Sequence, residues 1–219
     1  MKKGTAIHWF RQDLRLSDNP ALDSAAQYET LIPIYILDEV NSGEFKMGAA
    51  SKWWLHQSLT KLNESLDGKL LVYQGNPHEI LNKLIEEQEV SYVTWNRCYE
   101  PWRIDRDKEI KRNFEDKSVA VESFSASLLW EPWTISKDDG TPYRVFTPFY
   151  KKGCLNSEEP RLPAGKVDLS NLYSEDLSSD SITDLNLLPT IKWYKSFEGE
   201  WNPGEIGAEQ NLNSFLDSG

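Results

Sequence analysis

The sequence is poor in the residues that would place it among metalloproteins or disulfide-stapled secreted folds. Two cysteines, Cys98 and Cys154, stand alone among 219 residues. They form neither a disulfide framework nor a zinc-ligand spacing. The three histidines, His8, His56 and His78, have no partner at a ligating interval, so no metal site is expected. No segment approaches the roughly 20 apolar residues of a membrane span. The opening Met-Lys-Lys-Gly-Thr-Ala-Ile is basic, but its apolar run reaches Arg11 too soon for a signal peptide. A soluble, cytoplasmic chain with no membrane partner is expected. Basic residues are also in short supply, 24 against 35 acids, for a formal net charge of −11. So acidic a chain repels a phosphate backbone over most of its surface. Any nucleic-acid groove is either very local or outside this chain.

Several motifs are missing as well. No Gly-x-Gly-x-x-Gly follows the first apolar run, which argues against a nicotinamide dinucleotide. There is no Walker loop, no Gly-x-Ser-x-Gly elbow and no His-Glu-x-x-His.

What is present is periodic. A hydrophobic fraction of 39% with regular spacing argues for a packed core. Strands are expected at Thr5–Phe10, Leu31–Leu37, Leu70–Tyr73, Val90–Trp95 and Val119–Phe124. Helices are expected at Pro20–Gln27, Ala49–Leu66, Pro77–Glu87 and Arg103–Phe114. Asn19-Pro20 and Asn76-Pro77 read as helix starts, with proline in the first turn. Pro33 inside the second strand suggests a bulge or a strand start. Strands with near-continuous apolar runs, alternating with helices, make an α/β fold: a Rossmann-like, doubly wound, five-stranded parallel sheet.

After Phe124 this alternation stops. Residues 125–152 are aromatic and loop-like, and Gly153–Pro189 is polar and acidic, the composition of a connector crossing a surface. Gly204–Leu216 opens a helix with little left to pack against, so the chain reads as cut short. Three parts are expected: an α/β domain over 1–135, a flap and interdomain connector over 136–200, and the first helix of a missing helical domain over 201–219.

Ligands of doubly wound sheets sit outside the carboxyl ends of the strands, where the strand order reverses. For an assumed order 3-2-1-4-5, that point lies between the first and fourth strands, at Phe10–Arg15 and Asn96–Glu100. Arg11, Asp13 and Arg15 read either as a clamp on an anion or as an internal ion-pair network. Their alternating signs favour the network. Trp95, Asn96, Arg97, Tyr99 and Glu100 read equally as a pocket with an aromatic floor and polar rim, suited to a planar chromophore, or as loop packing. Cys98, beside them, reads as a buried thiol. Trp53 and Trp54 read as core and interface residues. Leu128–Lys152, with Arg144, Lys151 and Lys152 among Phe146, Phe149 and Tyr150, reads as a hydrophobic flap onto a neighbouring domain.

Four segments, "HWFRQDLRLSDNPAL", "WNRCYEPW…RD", "EPWTI…GTPYRVFTPF" and "WNPGEIGAEQNLNSFL", together resemble the photolyase/cryptochrome family, in that order and over nearly the whole chain. The resemblance implies an N-terminal antenna domain, and a connector leading to a helical domain that binds FAD and damaged DNA. It implies the antenna half of a deoxyribodipyrimidine photolyase, which repairs pyrimidine dimers with light. This half would be non-catalytic by itself, with FAD only in the full-length protein and DNA reached only through the missing domain. The alternatives are half of a cryptochrome blue-light photoreceptor, or a stand-alone α/β ligand-binding module. A monomer is expected, with no catalytic residues in this chain. The implied cofactor contacts are Phe10, Arg11, Asp38, Glu39, Ser51, Trp95, Asn96, Arg97, Cys98, Tyr99 and Glu100. Trp102 and Arg103 stand where folate-binding bacterial photolyases carry asparagine and glutamate. The arginine and aspartate of the deazaflavin type fall on Ser51 and Cys98. The "SKWWLHQSL" helix is similar to plant-cryptochrome-like bacterial photolyases, some of which hold a folate. Methenyltetrahydrofolate is therefore expected over deazaflavin or FMN.

Overall fold

The computed structural model describes residues 2–218. Five parallel strands form one sheet in the order β3-β2-β1-β4-β5. They are β1 (Lys2–Phe10), β2 (Tyr28–Leu37), β3 (Leu71–Gln74), β4 (Val90–Asn96) and β5 (Ala120–Phe124). The connecting helices are α1 (Pro20–Ala25), α2 (Ala49–Ser65), α3 (Pro77–Glu87) and α4 (Pro101–Phe114). The strand order matches the one assumed from sequence, and it reverses between β1 and β4.

Two helices begin as their sequences dictate. The Asn19 side chain accepts from the Leu22 N–H, and Asn76 accepts from His78 N–H, each with proline in the first turn. Alternation along the strands then sorts the core into two layers. Ala6, Phe10, Leu31, Tyr35 and Leu37 face α1 and α2, where Leu22, Leu59 and Leu62 meet them. Ile7, Trp9, Ile32, Ile34 and Ile36 face α3 and α4, against Leu81, Leu84, Ile110 and Phe114. Because successive side chains point to opposite faces, one continuous apolar strand serves both layers.

Pro33 is neither a bulge nor a strand start. It sits in unbroken register opposite His8 in an interior strand. The Leu31 N–H bonds to the Asn171 carbonyl on the β3 side, and the pleat turns the Pro33 nitrogen to that same side two residues later. Pairing with β3 begins only at Ile34, so the proline occupies a gap in which no ladder bond is lost.

The polar connector is tied down more firmly than its composition suggests. Tyr173 N–H donates to Leu31 O (3.0 Å) and Asp180 N–H to Val72 O (2.9 Å). Val167, Leu185 and Leu187 enter the α1/α2 layer of the core. Apolar residues spaced widely among acids carry no periodic signal, although each finds a buried place. Within the flap, α5 (Phe146–Pro148) is a single turn, and Trp133, Val145 and Phe146 stand exposed. The last helix, α6 (Glu205–Ser218), does find a surface: it returns to the carboxyl edge of the sheet. No helix among the described residues is long and apolar enough to cross a membrane.

His8 is wholly buried between Ala6 and Phe10. Its Nδ1 lies 3.2 Å from Thr94 Oγ1, and its ring meets Phe10 edge-on. Burial pushes its pKa down from 6.5 to about 4. Above pH 6.5 the ring is neutral in both folded and unfolded chains. Below it the unfolded chain takes up a proton that the folded chain refuses, so stability falls as pH drops from 6.5 to 4, by about 3 kcal/mol in all. His8→Leu, which leaves Thr94 its bond to Ala21 O, is expected to remove that component. The difference between the unfolding free energies of the two proteins, from urea titrations at pH 7 and pH 4, should shift by about that amount in favour of the leucine variant.

Candidate functional site

A crevice of about 1030 Å³ opens at the carboxyl edge of the sheet. The end of β1 supplies Trp9 and Arg11, and the end of β2 supplies Tyr35, Ile36 and Asp38. The first two turns of α2 and α4 supply Ser51, Trp54, Trp102, Arg103 and Arg106, and α6 closes the outer side.

Its base is a buried network of charges. Asp107 accepts from Arg11 at 2.6 Å and from Arg106 at 2.8 Å, and Arg106 reaches on to Asp38 at 2.9 Å. The second terminal nitrogen of Arg11 donates to Asn96 O. Asn96 Nδ2 donates to Asp13 and to Asn19 Oδ1, while its Oδ1 accepts from Ala21 N–H. One asparagine thus joins β4 to the loop after β1 and to α1. The Arg106 guanidinium also lies 4.7 Å from the Trp9 ring and 5.3 Å from Trp102, within cation–π range. Arg15 donates to the carbonyls of Ser17, Asp18 and Ala126. Of the two readings of Arg11, Asp13 and Arg15, the internal network is the one the contacts describe.

The expected contacts divide. Arg11, Asp38 and Ser51 line the crevice. The Trp95 floor is corrected: this indole is wholly buried, edge-on to Trp9 at 5.7 Å. Phe10 is equally buried, on the α1/α2 face. Asn96 is spent on the network. Arg97 and Tyr99 converge on Glu131 at 2.8 and 2.9 Å, forming a separate cluster toward β5. Glu100 accepts from Gln12, Cys98 from Arg103, and Glu39 pairs with Lys52. The physical reason for the displacement is Arg11. Its side chain and its partners fill the gap between β1 and β4, so the open space shifts toward β2 and α2.

Sequence reasoning missed Trp54, Trp102, Arg103, Arg106 and Glu205. Trp54, read with Trp53 as a core and interface residue, is 40% exposed while Trp53 is buried; adjacent positions on a helix are about 100° apart, enough to put one in the core and the next at the rim. Trp102, Arg103 and Arg106 carried a usable signal, since Arg106 lies at i+4 from Trp102 and at i+3 from Arg103, the spacings that bring side chains together on one helical face.

The crevice suits a planar heterocycle with an acceptor-rich or anionic tail. Indoles of Trp54 and Trp102 stand on its walls. Among the described residues, the buried donor Trp9 Nε1 has no hydrogen-bond partner, and Arg103 Nε has only an ion-pair contact with Glu100 at 3.6 Å; buried donors are seldom left so. Burial pushes the Tyr35 phenol above its ordinary range, so it remains a neutral donor at the crevice wall.

A family model described as DNA photolyase matches residues 6–166. The chain belongs to the DNA photolyase family. Among curated relatives, the deoxyribodipyrimidine photo-lyase of Agrobacterium fabrum is 39% identical across 99% of this chain, which covers 46% of that protein. Cryptochrome-2 of Arabidopsis thaliana is 30% identical across 99% of this chain and 37% of its own length. The crystal structure of a bacterial class III photolyase from Agrobacterium tumefaciens superposes with a TM-score of 0.89 at 38% identity, covering 99% of this chain and 45% of that one. The chain thus spans less than half the length of these photolyase-family relatives.

Proposed function

We propose that this chain is the light-gathering half of a deoxyribodipyrimidine photolyase, and that the crevice holds its antenna pigment, methenyltetrahydrofolate. One observation carries the reading: an open crevice at the carboxyl edge, walled by the indoles of Trp54 and Trp102 and backed by Arg11 and Arg103, whose buried Nε atoms make no hydrogen bond. When bound, the pigment absorbs near-ultraviolet light and passes the energy to a flavin held elsewhere in the full-length protein. The chain's own residues bind and orient it. Trp54 and Trp102 offer π-faces to a fused ring, and Arg103 offers charge to a glutamyl tail. The Asp38–Arg106–Asp107–Arg11 chain holds the base rigid, so that little ordering is required when a ligand arrives.

The domain divisions belong to the same reading: residues 1–135 as antenna domain, 136–200 as flap and connector, and 201–219 as the opening of a helical FAD domain. Exposed Trp133, Val145 and Phe146 would be covered by that domain, through which DNA would be engaged. Identity of 39% to the bacterial photolyase against 30% to cryptochrome-2 favours repair over signalling.

The test is reconstitution. The purified chain, incubated with methenyltetrahydrofolate and passed through a desalting column, is expected to retain about one equivalent by near-ultraviolet absorbance. It is expected to split no thymine dimers under blue light. Retention of deazaflavin or FMN in place of the folate would overturn the pigment assignment. Dimer repair by these 219 residues alone would overturn the division of labour.

A further inference from the structure

Helix α6 is held at the rim of the crevice by one carboxylate. Glu205 Oε2 accepts from the Leu16 N–H at 2.7 Å, and Oε1 accepts from the Ser17 N–H at 2.8 Å. Both oxygens of one side chain are engaged by consecutive amides 188 and 189 positions away in sequence. The loop that offers these amides is itself fixed. Ser17 bridges to Lys166, the Leu16 carbonyl accepts from Val167 N–H, and Asp18 Oδ1 accepts from Ala164 N–H at 2.9 Å.

The first turn of α6 is built for close approach. A Cβ on Gly204, whose φ is +91°, would lie 2.7 Å from Lys61 Cβ on α2. One on Gly207 would lie 1.9 Å from the Asn202 carbonyl oxygen. Trp201, just before the helix, meets Trp54 edge-on at 5.8 Å. Glu205, Ala208, Glu209 and Leu212 all line the crevice, at the i, i+3, i+4, i+7 spacing of one helical face. Farther along, Phe215 and Leu216 are exposed. The hold of α6 on the domain is concentrated in its first turn.

We infer that Glu205 is the positioning residue that sets α6 as the outer wall of the crevice, so that one carboxylate governs access to the site. A loop with two outward amides and a helix with an acid in its first turn form a latch. With the carboxylate gone, the amides are left to water, and the start of the helix keeps its contacts with α2 through Trp201 and Gly204. Entry and release at the crevice, and the position of α6, are then coupled through the same contact. The inference rests on the pigment-site reading only for the identity of the ligand; the latch itself concerns access.

The experiment therefore reads access without the pigment. Ser58, buried on α2 and lining the crevice, is replaced by cysteine in the full chain, and its reaction with dithiobisnitrobenzoate is timed. The two native thiols are buried and provide the background. Glu205→Ala is expected to speed labelling at position 58 by about tenfold or more, and to raise amide hydrogen exchange at Leu16 and Ser17. Glu205→Gln, which keeps one acceptor oxygen, should restore part of the slow labelling. Gly207→Ala, whose Cβ would collide with the Asn202 carbonyl and distort the first turn that carries Glu205, should reproduce the Glu205→Ala result. Unchanged labelling and exchange in Glu205→Ala would overturn the inference. So would a matching acceleration at Cys154 in the flap, which would report general loosening. If labelling responds as expected while methenyltetrahydrofolate fails to bind the parent chain, the pigment assignment falls and the latch stands.

Discussion

Asp107→Ala is expected to lower the stability of this protein by about 3–5 kcal/mol, the cost of removing one partner from a buried charge pair. Asp107 is the acceptor shared by Arg11 and Arg106, whose side chains are 3% and 7% exposed. Without it, Arg11 keeps only the Asn96 carbonyl, and Arg106 keeps only Asp38. Two guanidinium groups cannot shed their charge by deprotonating in this range of pH, so the penalty cannot be relieved by titration. A domain of this size loses about 2–4 °C in melting temperature per kcal/mol, which predicts a shift on the order of 10 °C. Asp107→Asn keeps the shape and one acceptor and should lose less. Urea unfolding at neutral pH measures both. A loss below about 1 kcal/mol for the alanine variant would mean that water repairs the network, contrary to its burial.

The second large effect concerns binding. Trp54→Ala is expected to weaken methenyltetrahydrofolate retention by about 10- to 100-fold, corresponding to the ~1–3 kcal/mol that an aromatic platform supplies to a stacked base. The indole is 40% exposed, so the change in melting temperature should be small beside that of Asp107→Ala. Trp54→Phe keeps a ring at the wall and should recover part of the affinity. Trp95 provides the contrast, since it is buried against Trp9 and outside the crevice. Trp95→Phe is expected to reduce stability and leave the folate affinity unchanged. Equilibrium dialysis of the three variants decides it. The reverse pattern, with affinity lost at Trp95 and kept at Trp54, would put the pigment back between β1 and β4.

The regular part of the fold was legible because its signals are local. Asn19-Pro20 and Asn76-Pro77 start helices through side-chain caps only two or three residues away, and apolar strands bounded by such starts leave few alternatives to a parallel sheet. Even the reversal point between β1 and β4 followed once the order was assumed. Pro33 was misread because its acceptability depends on whether a neighbour pairs at that height, which is a property of the sheet and not of β2. The connector was misread in degree. Val167, Leu185 and Leu187 show no period, so their burial emerges only when the chain is wrapped around the domain.

The candidate site shows the same division at finer scale. That charges would gather after the first strand was visible in "FRQDLRLSD", and their alternating signs pointed to pairing. Which partners they take was not visible. Asn96 and Asp107 lie 85 and 96 positions from Arg11 in the sequence, and only the fold brings them within bonding distance.

From its sequence alone, the chain is committed to a five-stranded parallel sheet with a crevice at its carboxyl edge, and it carries the motifs of the DNA photolyase family. These follow from periodicity, caps and short-range order, which each segment carries within itself. The tertiary structure decided the rest: that Arg11 closes the expected gap, that Trp54 and Trp102 wall the open one, and that Glu205 brings the last helix back to its rim. Those outcomes depend on which distant groups compete for the same space and the same hydrogen bonds, a competition that exists only once the chain has folded.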